Sequence, residues 1–259
     1  MSEITDHPFY EAANSLSRDD IVPFDMPEEN VVTEGQSLAA AINEDKDTLL
    51  EYDLEDKYIQ NLPPQLELFI LVLAKFSLRF EQIETAKGTW PVKKKEGYVM
   101  RSDLYEIFMF IFRKNKDILE TIADIRSGRG NEDMLFDLYK YYKLGKSNLD
   151  KIARAKLTED DIEAINTLYR ELSSMYADSK IEIETDETYL LLKKSFTILD
   201  ETMSEIRDVG FFAFRDNPER QRRYVSDFHL EVGEKSSATW RQRAEEKSNQ
   251  DKEKLNTPT

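Results

Sequence analysis

The residues that most often carry catalysis are scarce in this sequence. Its 259 residues include 52 Asp and Glu, two His and no Cys. Without cysteine, disulfides, zinc–thiolate sites and thiolate nucleophiles are excluded. His7 and His229 lie in the N-terminal segment and near the C-terminus, which excludes the paired Glu-x-x-His motifs of di-metal helical bundles and argues against a zinc hydrolase. We therefore expect no metal and no cofactor, and we favour a non-enzymatic protein over an enzyme.

Phosphate-binding and nucleophile motifs are also missing. Gly145-Lys146-Ser147 resembles the end of a phosphate-binding loop, but Lys140 stands where that loop requires its first glycine, and no strand is predicted before it. There is no Gly-x-Ser-x-Gly elbow, no glycine-rich dinucleotide turn and no calcium loop. The abundant carboxylates are typical of a solvated helical surface, and none can be selected as an acid or base without a pocket around it.

One short pattern suggests a different chemistry. Five or six residues separate Arg222 and Arg223 from His229, a spacing that resembles the Arg-x4-6-His signature of the helical HEPN ribonucleases. The resemblance implies that an arginine and His229, contributed by paired subunits, act on the 2′-hydroxyl and the scissile phosphate of RNA without a metal. The match covers eight residues, and Tyr224 stands where the family has a polar residue directly after the arginine.

Two segments combine aromatic rings with cations and are the candidate partner-binding sites. The first is an expected loop that holds Trp90, Lys93, Lys94 and Lys95. In the second, three phenylalanines precede a series of arginines: Phe211, Phe212, Phe214, Arg215, Arg220 and Arg223. Three phenylalanines at this spacing cannot all face one core, so some are expected to be exposed or covered by another segment or a partner. The alternative for the lysine run is a solvated turn that binds nothing.

The negative charge is concentrated near the N-terminus. Residues 1–61 hold 16 acidic and 3 basic side chains, whereas residues 62–215 hold 27 acidic and 24 basic ones. A polyanionic segment repels nucleic acid and anionic membranes and attracts basic proteins. We therefore expect a protein partner of basic character and no nucleic acid. In an alternative function, the acidic segment imitates nucleic acid and binds basic proteins.

Hydrophobic residues recur at three- and four-residue steps, which predicts an all-α protein: an antiparallel bundle of four long helices with shorter helices added. The strongest helix is expected to begin at Pro63-Pro64, with Phe76 buried against Phe108 or Phe112. Glycines and a proline then predict a loop over residues 86–99.

The domain boundaries follow from charge and hydrophobicity. We expect an acidic flexible arm over residues 1–37, a marginal polar helix over 38–61, the helical bundle over 62–230 and a polar tail over 231–259. Because the arm has few apolar residues, deleting residues 1–36 is expected to leave thermal stability almost unchanged.

These patterns favour a non-enzymatic interaction or scaffold protein as the function. The ribonuclease and the acidic nucleic-acid mimic are the alternatives. No window reaches 18 apolar residues and the N-terminus lacks the pattern of a secretory signal, so we expect no membrane span and a cytoplasmic location. The partner is unidentified, and assembly into a homo-oligomer is open.

Overall fold

The computed structural model describes residues 2–153 and 157–234. These residues form α-helices joined by turns and short 3₁₀ segments, and they contain no β-strand. The helices are α1 (Ser2–Thr5), α2 (Tyr10–Asn14), α3 (Glu28–Glu51), α4 (Asp56–Ile111), α5 (Lys116–Ile125), α6 (Asn131–Lys146), α7 (Leu149–Ile152), α8 (Glu159–Ser179), α9 (Glu187–Ala213) and α10 (Pro218–Gln221). Residues 227–234 are helical as well. The predicted all-α fold is confirmed.

The chain divides into two compact units. The first unit comprises Met1–Phe76 and Glu187–Thr259, and the second comprises Ser77–Asp186. Helix α4 supplies its first part to the first unit and its remainder to the second. A polar tail was expected over residues 231–259. Residues 231–234 belong to the last helical segment, and the rest of this range lies outside the described residues.

The core of the first unit is formed by α3, the beginning of α4 and α9. Each of the three helices buries aliphatic side chains, and the rings of Phe69 and Phe196 pack with centroids 6.3 Å apart. Phe76 is buried, as predicted, but it packs against Tyr189 at 4.9 Å. The expected packing against Phe108 or Phe112 is wrong, because both of those rings belong to the core of the second unit.

The N-terminal residues differ from the expected flexible arm and marginal helix. Glu28–Glu51 form one helix of 24 residues, and Ala13, Met26 and Val31 are buried. Phe24 packs on Phe196 with ring centroids 4.5 Å apart. The apolar residues seemed too sparse for a core because α3 buries only a narrow apolar stripe and leaves Glu29, Glu44, Asp47 and Glu51 in water, but such a stripe is enough for a helix that packs against neighbouring helices.

The second unit contains a core of fourteen buried residues drawn mainly from α4, α6 and α8. The loop predicted over residues 86–99 is wrong, because α4 continues through it without a break. Trp90 lies inside this core, only 7% exposed and 4.8 Å from the ring of Tyr176. Gly97 also lies inward, where a Cβ atom would come within 2.8 Å of Leu172. Tertiary packing thus overrides the low helix propensity of glycine and proline.

Other helix ends agree with the sequence in part. Thr158 and Asp161 form a capping box at the start of α8, as the Thr-Glu-Asp-Asp run indicates. Asn217 caps α10, with Pro218 in its first turn. Helix α4, in contrast, begins before Pro63-Pro64 and ends at Ile111, and the side chain of Asn115 caps a separate α5. Within the described chain, none of the helices is long and apolar enough to span a membrane.

Candidate functional site

Two of the arginines that follow Phe214, Arg220 and Arg223, are bound to carboxylates of α3. Helix α10 and the turn after it bring Arg220, Arg223 and Tyr224 to the fully buried Asp45. Tyr224 Oη donates to Asp45 Oδ2 at 2.8 Å, Arg220 pairs with Asp45 Oδ1, and Arg223 Nη1 lies 2.7 Å from Glu44 Oε2. Burial, together with the hydrogen bond to Asp45, raises the pKa of Tyr224 well above its ordinary value. These contacts hold helix α10 and the turn after it against α3.

A second carboxylate holds the residues after Tyr224. Glu34 of α3 accepts hydrogen bonds from Ser226 Oγ at 2.9 Å and from the backbone N–H of Phe228 at 3.0 Å. Arg207 Nη2 of α9 lies 2.5 Å from its other oxygen. Glu34 therefore joins α3, α9 and the last described helical segment.

The residues of the ribonuclease signature are all close to acidic side chains. Arg222 Nη2 lies 2.6 Å from Asp227 Oδ1, and His229 Nε2 lies 3.2 Å from Asp25 Oδ2. Arg222 and Arg223 line a groove of about 480 Å³ together with Arg207, and the groove also holds Glu29, Glu34 and Asp227. Cleavage of RNA by these residues stays a prediction.

The three phenylalanines of residues 211–214 separate into two environments. Phe214 is buried and stacks on Tyr224, with centroids 5.5 Å apart and an angle of 13° between the rings. Gly210 provides the room for this, because a Cβ atom at that position would overlap the ring of Tyr224. Phe211 and Phe212, in contrast, are 50% and 58% exposed. The expectation that this sequence leaves phenylalanine at the surface agrees with these exposures.

Phe212 is part of an exposed group of aromatic side chains. Its ring meets that of Tyr52, the residue directly after α3, edge-on at 5.9 Å. The Arg215 guanidinium lies 4.6 Å from the Phe212 centroid and 5.9 Å from that of Tyr52. Phe211 is the neighbouring residue on α9, and its carbonyl accepts from the Gln221 side chain at 2.9 Å. We call Tyr52, Phe211, Phe212 and Arg215 the aromatic surface. Tyr52 was missed from the sequence because nothing local links it to residues 211–215.

The other predicted binding segment, Trp90 with Lys93, Lys94 and Lys95, lies on helix α4 and not on a loop. Trp90 is buried, and Lys93 pairs with Glu96 at 3.1 Å and lies 3.8 Å from Glu171. The hydrogen bond to Glu96 raises the pKa of Lys93. Because successive residues of a helix are turned by about 100°, Lys93, Lys94 and Lys95 point in different directions. The expectation of a loop is therefore wrong and Trp90 is buried, while binding of a partner by the lysines stays a prediction.

A buried polar cluster in the second unit was also missed. Arg101 Nη2 lies 2.5 Å from Asp137 Oδ2, and burial raises the pKa of Asp137 even though Arg101 acts in the opposite direction. Burial raises the pKa of the neighbouring Tyr141 to about 12, with the Asp137 charge as a smaller cause. Helical spacing places Asp137 on the same face of α6 as Met134 and Tyr141, so periodicity alone would have found it.

Comparison with known protein families, with curated proteins and with solved structures finds no match for this chain. Among the side chains that the structure describes, no group of three His, Asp or Glu residues is arranged to hold a metal ion.

Proposed function

We propose that this chain is a non-enzymatic interaction protein that binds a protein partner through the aromatic surface. The observation that supports this is the exposure of Phe211 and Phe212 beside Tyr52 and Arg215. Aromatic and arginine side chains are the types that contribute most to protein–protein binding energy. Because about half of each ring is exposed, covering Phe211 or Phe212 contributes about 0.8–1.5 kcal/mol, half the value for a fully exposed phenylalanine.

The charge of the first unit indicates the kind of partner. Its two segments contain 31 acidic and 17 basic side chains, against 21 acidic and 19 basic in the second unit. Charge of one sign around an apolar contact accelerates association with a partner of the opposite sign. We therefore infer a partner that presents apolar side chains to Phe211 and Phe212 and carries lysine or arginine around them.

Capture of the partner from the cell of origin tests the proposal. Tagged full-length protein is compared with the Phe211→Ser, Phe212→Ser double variant and with Phe136→Ser, which removes a ring that is 56% exposed in the second unit. We expect the same protein to be captured by the wild type and by Phe136→Ser and to be lost from the double variant. Thermal unfolding of all three verifies that they fold. A partner that the double variant retains at wild-type yield overturns the proposal.

The two alternative functions stay predictions with tests of their own. The ribonuclease predicts cleavage of mixed RNA in the presence of EDTA that disappears in His229→Ala. The nucleic-acid mimic predicts capture of a basic DNA-binding protein with an affinity that falls steeply with salt. Neither depends on Phe211 or Phe212, so the capture experiment separates both from the interaction protein.

A further inference from the structure

A pocket of about 520 Å³ lies at the turn between α4 and α5, in the second unit. This volume is within the range of pockets that hold small ligands. Its lining includes the exposed ring of Phe110, the buried Phe112, Ile111 and five polar or charged residues: Arg113, Lys114, Asn115, Asp150 and Lys151. Sequence patterns did not indicate it, because α7 brings Lys151 to the turn from a distant part of the chain.

The cations of this pocket differ from those of the arginine-lined groove in the first unit. Arg113, Lys114 and Lys151 form no ion pair with any carboxylate in the described residues. Arg113 Nη1 donates to the Phe110 carbonyl at 2.8 Å, and Lys151 Nζ donates to Asn148 Oδ1 at 3.1 Å. With Asp150 as its acid, the lining carries a formal charge of +2 in a protein whose net charge is −16. The pocket is therefore complementary to an anion.

Phe110 adds a feature that a simple anion does not require. Its ring is 61% exposed, and the Arg113 guanidinium lies 4.4 Å from the ring centroid. An exposed aromatic ring beside arginine and lysine is the combination with which proteins stack a nucleic-acid base while they contact its phosphate. The ring therefore favours a ligand with both a phosphate and a planar group.

We propose that this pocket binds a nucleoside phosphate, with its phosphates against Arg113, Lys114 and Lys151 and its base stacked on Phe110. The ligand is a free nucleotide or one nucleotide of a single strand, since both present the same groups. The acidic composition that disfavours nucleic acid belongs mainly to the first unit, whereas the second unit is nearly neutral. The proposal is independent of the aromatic surface.

Titration calorimetry with full-length protein tests the proposal. The probes are ATP, inorganic triphosphate and an eight-nucleotide dT strand. We expect ATP to bind, and the Arg113→Ala, Lys151→Ala double variant to weaken ATP and triphosphate at least tenfold. Phe110→Ala should weaken ATP severalfold and leave triphosphate unchanged. Lys95→Ala, which removes an exposed lysine elsewhere on α4, should change neither.

The outcomes separate the source of the ligand from the existence of the site. Tighter binding of the dT strand than of ATP, lost in the same variants, assigns the site to single-stranded nucleic acid, and the reverse order assigns it to free nucleotide. Absence of binding for all three probes overturns the proposal. Binding that the double variant leaves intact, or that Lys95→Ala weakens equally, also overturns it.

Discussion

At the scale of single residues, Asp45 shows how a carboxylate holds remote parts of the first unit together. Asp45→Ala leaves the buried Tyr224 hydroxyl without its acceptor, whereas the Arg220 side chain is 41% exposed and can be solvated. Leaving a buried donor unsatisfied costs about 1–3 kcal/mol. Asp47→Ala, at an exposed position on the same helix, should change stability by less than about 0.5 kcal/mol. Urea denaturation measures both, and equal effects would contradict the assigned contacts.

Two fully buried tyrosines offer a matched comparison. Tyr224 donates to a carboxylate, whereas the Tyr141 hydroxyl has no hydrogen-bond partner among the described residues. Tyr224→Phe should cost about 1.5–3 kcal/mol, the usual contribution of a hydrogen bond to a charged group. Tyr141→Phe removes an unsatisfied hydroxyl and should not lower the free energy of unfolding at pH 7. A larger loss of unfolding free energy in Tyr141→Phe than in Tyr224→Phe would contradict the assigned hydrogen bonds.

The raised pKa of Tyr141 predicts how the stability of the protein changes at alkaline pH. The pKa of Tyr141 is raised from 10.0 to about 12 in the folded protein. The folded state therefore holds the proton more tightly than the unfolded state, and the resulting stabilisation is complete below pH 10 and is lost as the pH rises toward 12. In Tyr141→Phe this loss is absent, so its stability should fall less than that of the wild type over the interval. If the free energy of unfolding fell equally with pH in the two proteins, the raised pKa of Tyr141 would be contradicted.

The sequence identified part of the aromatic surface and missed the rest for a physical reason. The spacing of Phe211, Phe212 and Phe214 shows that they cannot share one core, but only Tyr224 determines that Phe214 is the buried one. Tyr52 reaches Phe212 through the packing of α3 on α9, a contact that no local pattern reports.

At the scale of elements, α4 shows where propensity fails as a guide. Glycine and proline are typical of turns, so Gly88, Pro91 and Gly97 predict a loop even though hydrophobic residues at helical spacing surround them. In the structure the helix buries Trp90 and brings Gly97 against α6 and α8, while Pro91 lies on the exposed side. The burial of Trp90 and the close packing at Gly97 offset the cost of glycine and proline in this helix. That packing depends on distant residues and cannot be seen in the local sequence.

Two glycines of α4 should respond oppositely to the same substitution. A Cβ atom at Gly97 would lie 2.5 Å from Met134 Sδ and 2.8 Å from Leu172 Cδ1, so Gly97→Ala should destabilise by about 1–3 kcal/mol through overpacking. A Cβ atom at Gly88 meets nothing within 4 Å, so Gly88→Ala should stabilise by about 0.5–1 kcal/mol. Chemical denaturation distinguishes the signs. Stabilisation by both substitutions would show that residues 86–99 are not packed as described.

At the scale of the whole molecule, the N-terminal residues are part of the first unit. The high density of acidic residues predicted a separate arm. The structure shows that Phe24, Met26 and Val31, which are scattered among those acids, pack in the core. Deleting residues 1–36 should therefore lower the free energy of unfolding by at least about 3 kcal/mol, the scale of one lost large core side chain. Val22→Ala, at a position 40% exposed, should have little effect. An unchanged unfolding transition after the deletion would support the flexible arm that the sequence predicted.

The most direct test of the interaction function is a photo-cross-link placed on the aromatic surface. p-Benzoylphenylalanine is introduced at Phe212 in the full-length protein, and at Phe136 in a control that is similarly exposed. After irradiation in the cell of origin, we expect a covalent adduct with one partner protein from position 212 and none from position 136. Adducts with the same protein from both positions, or from position 136 alone, would contradict the aromatic surface as the docking site.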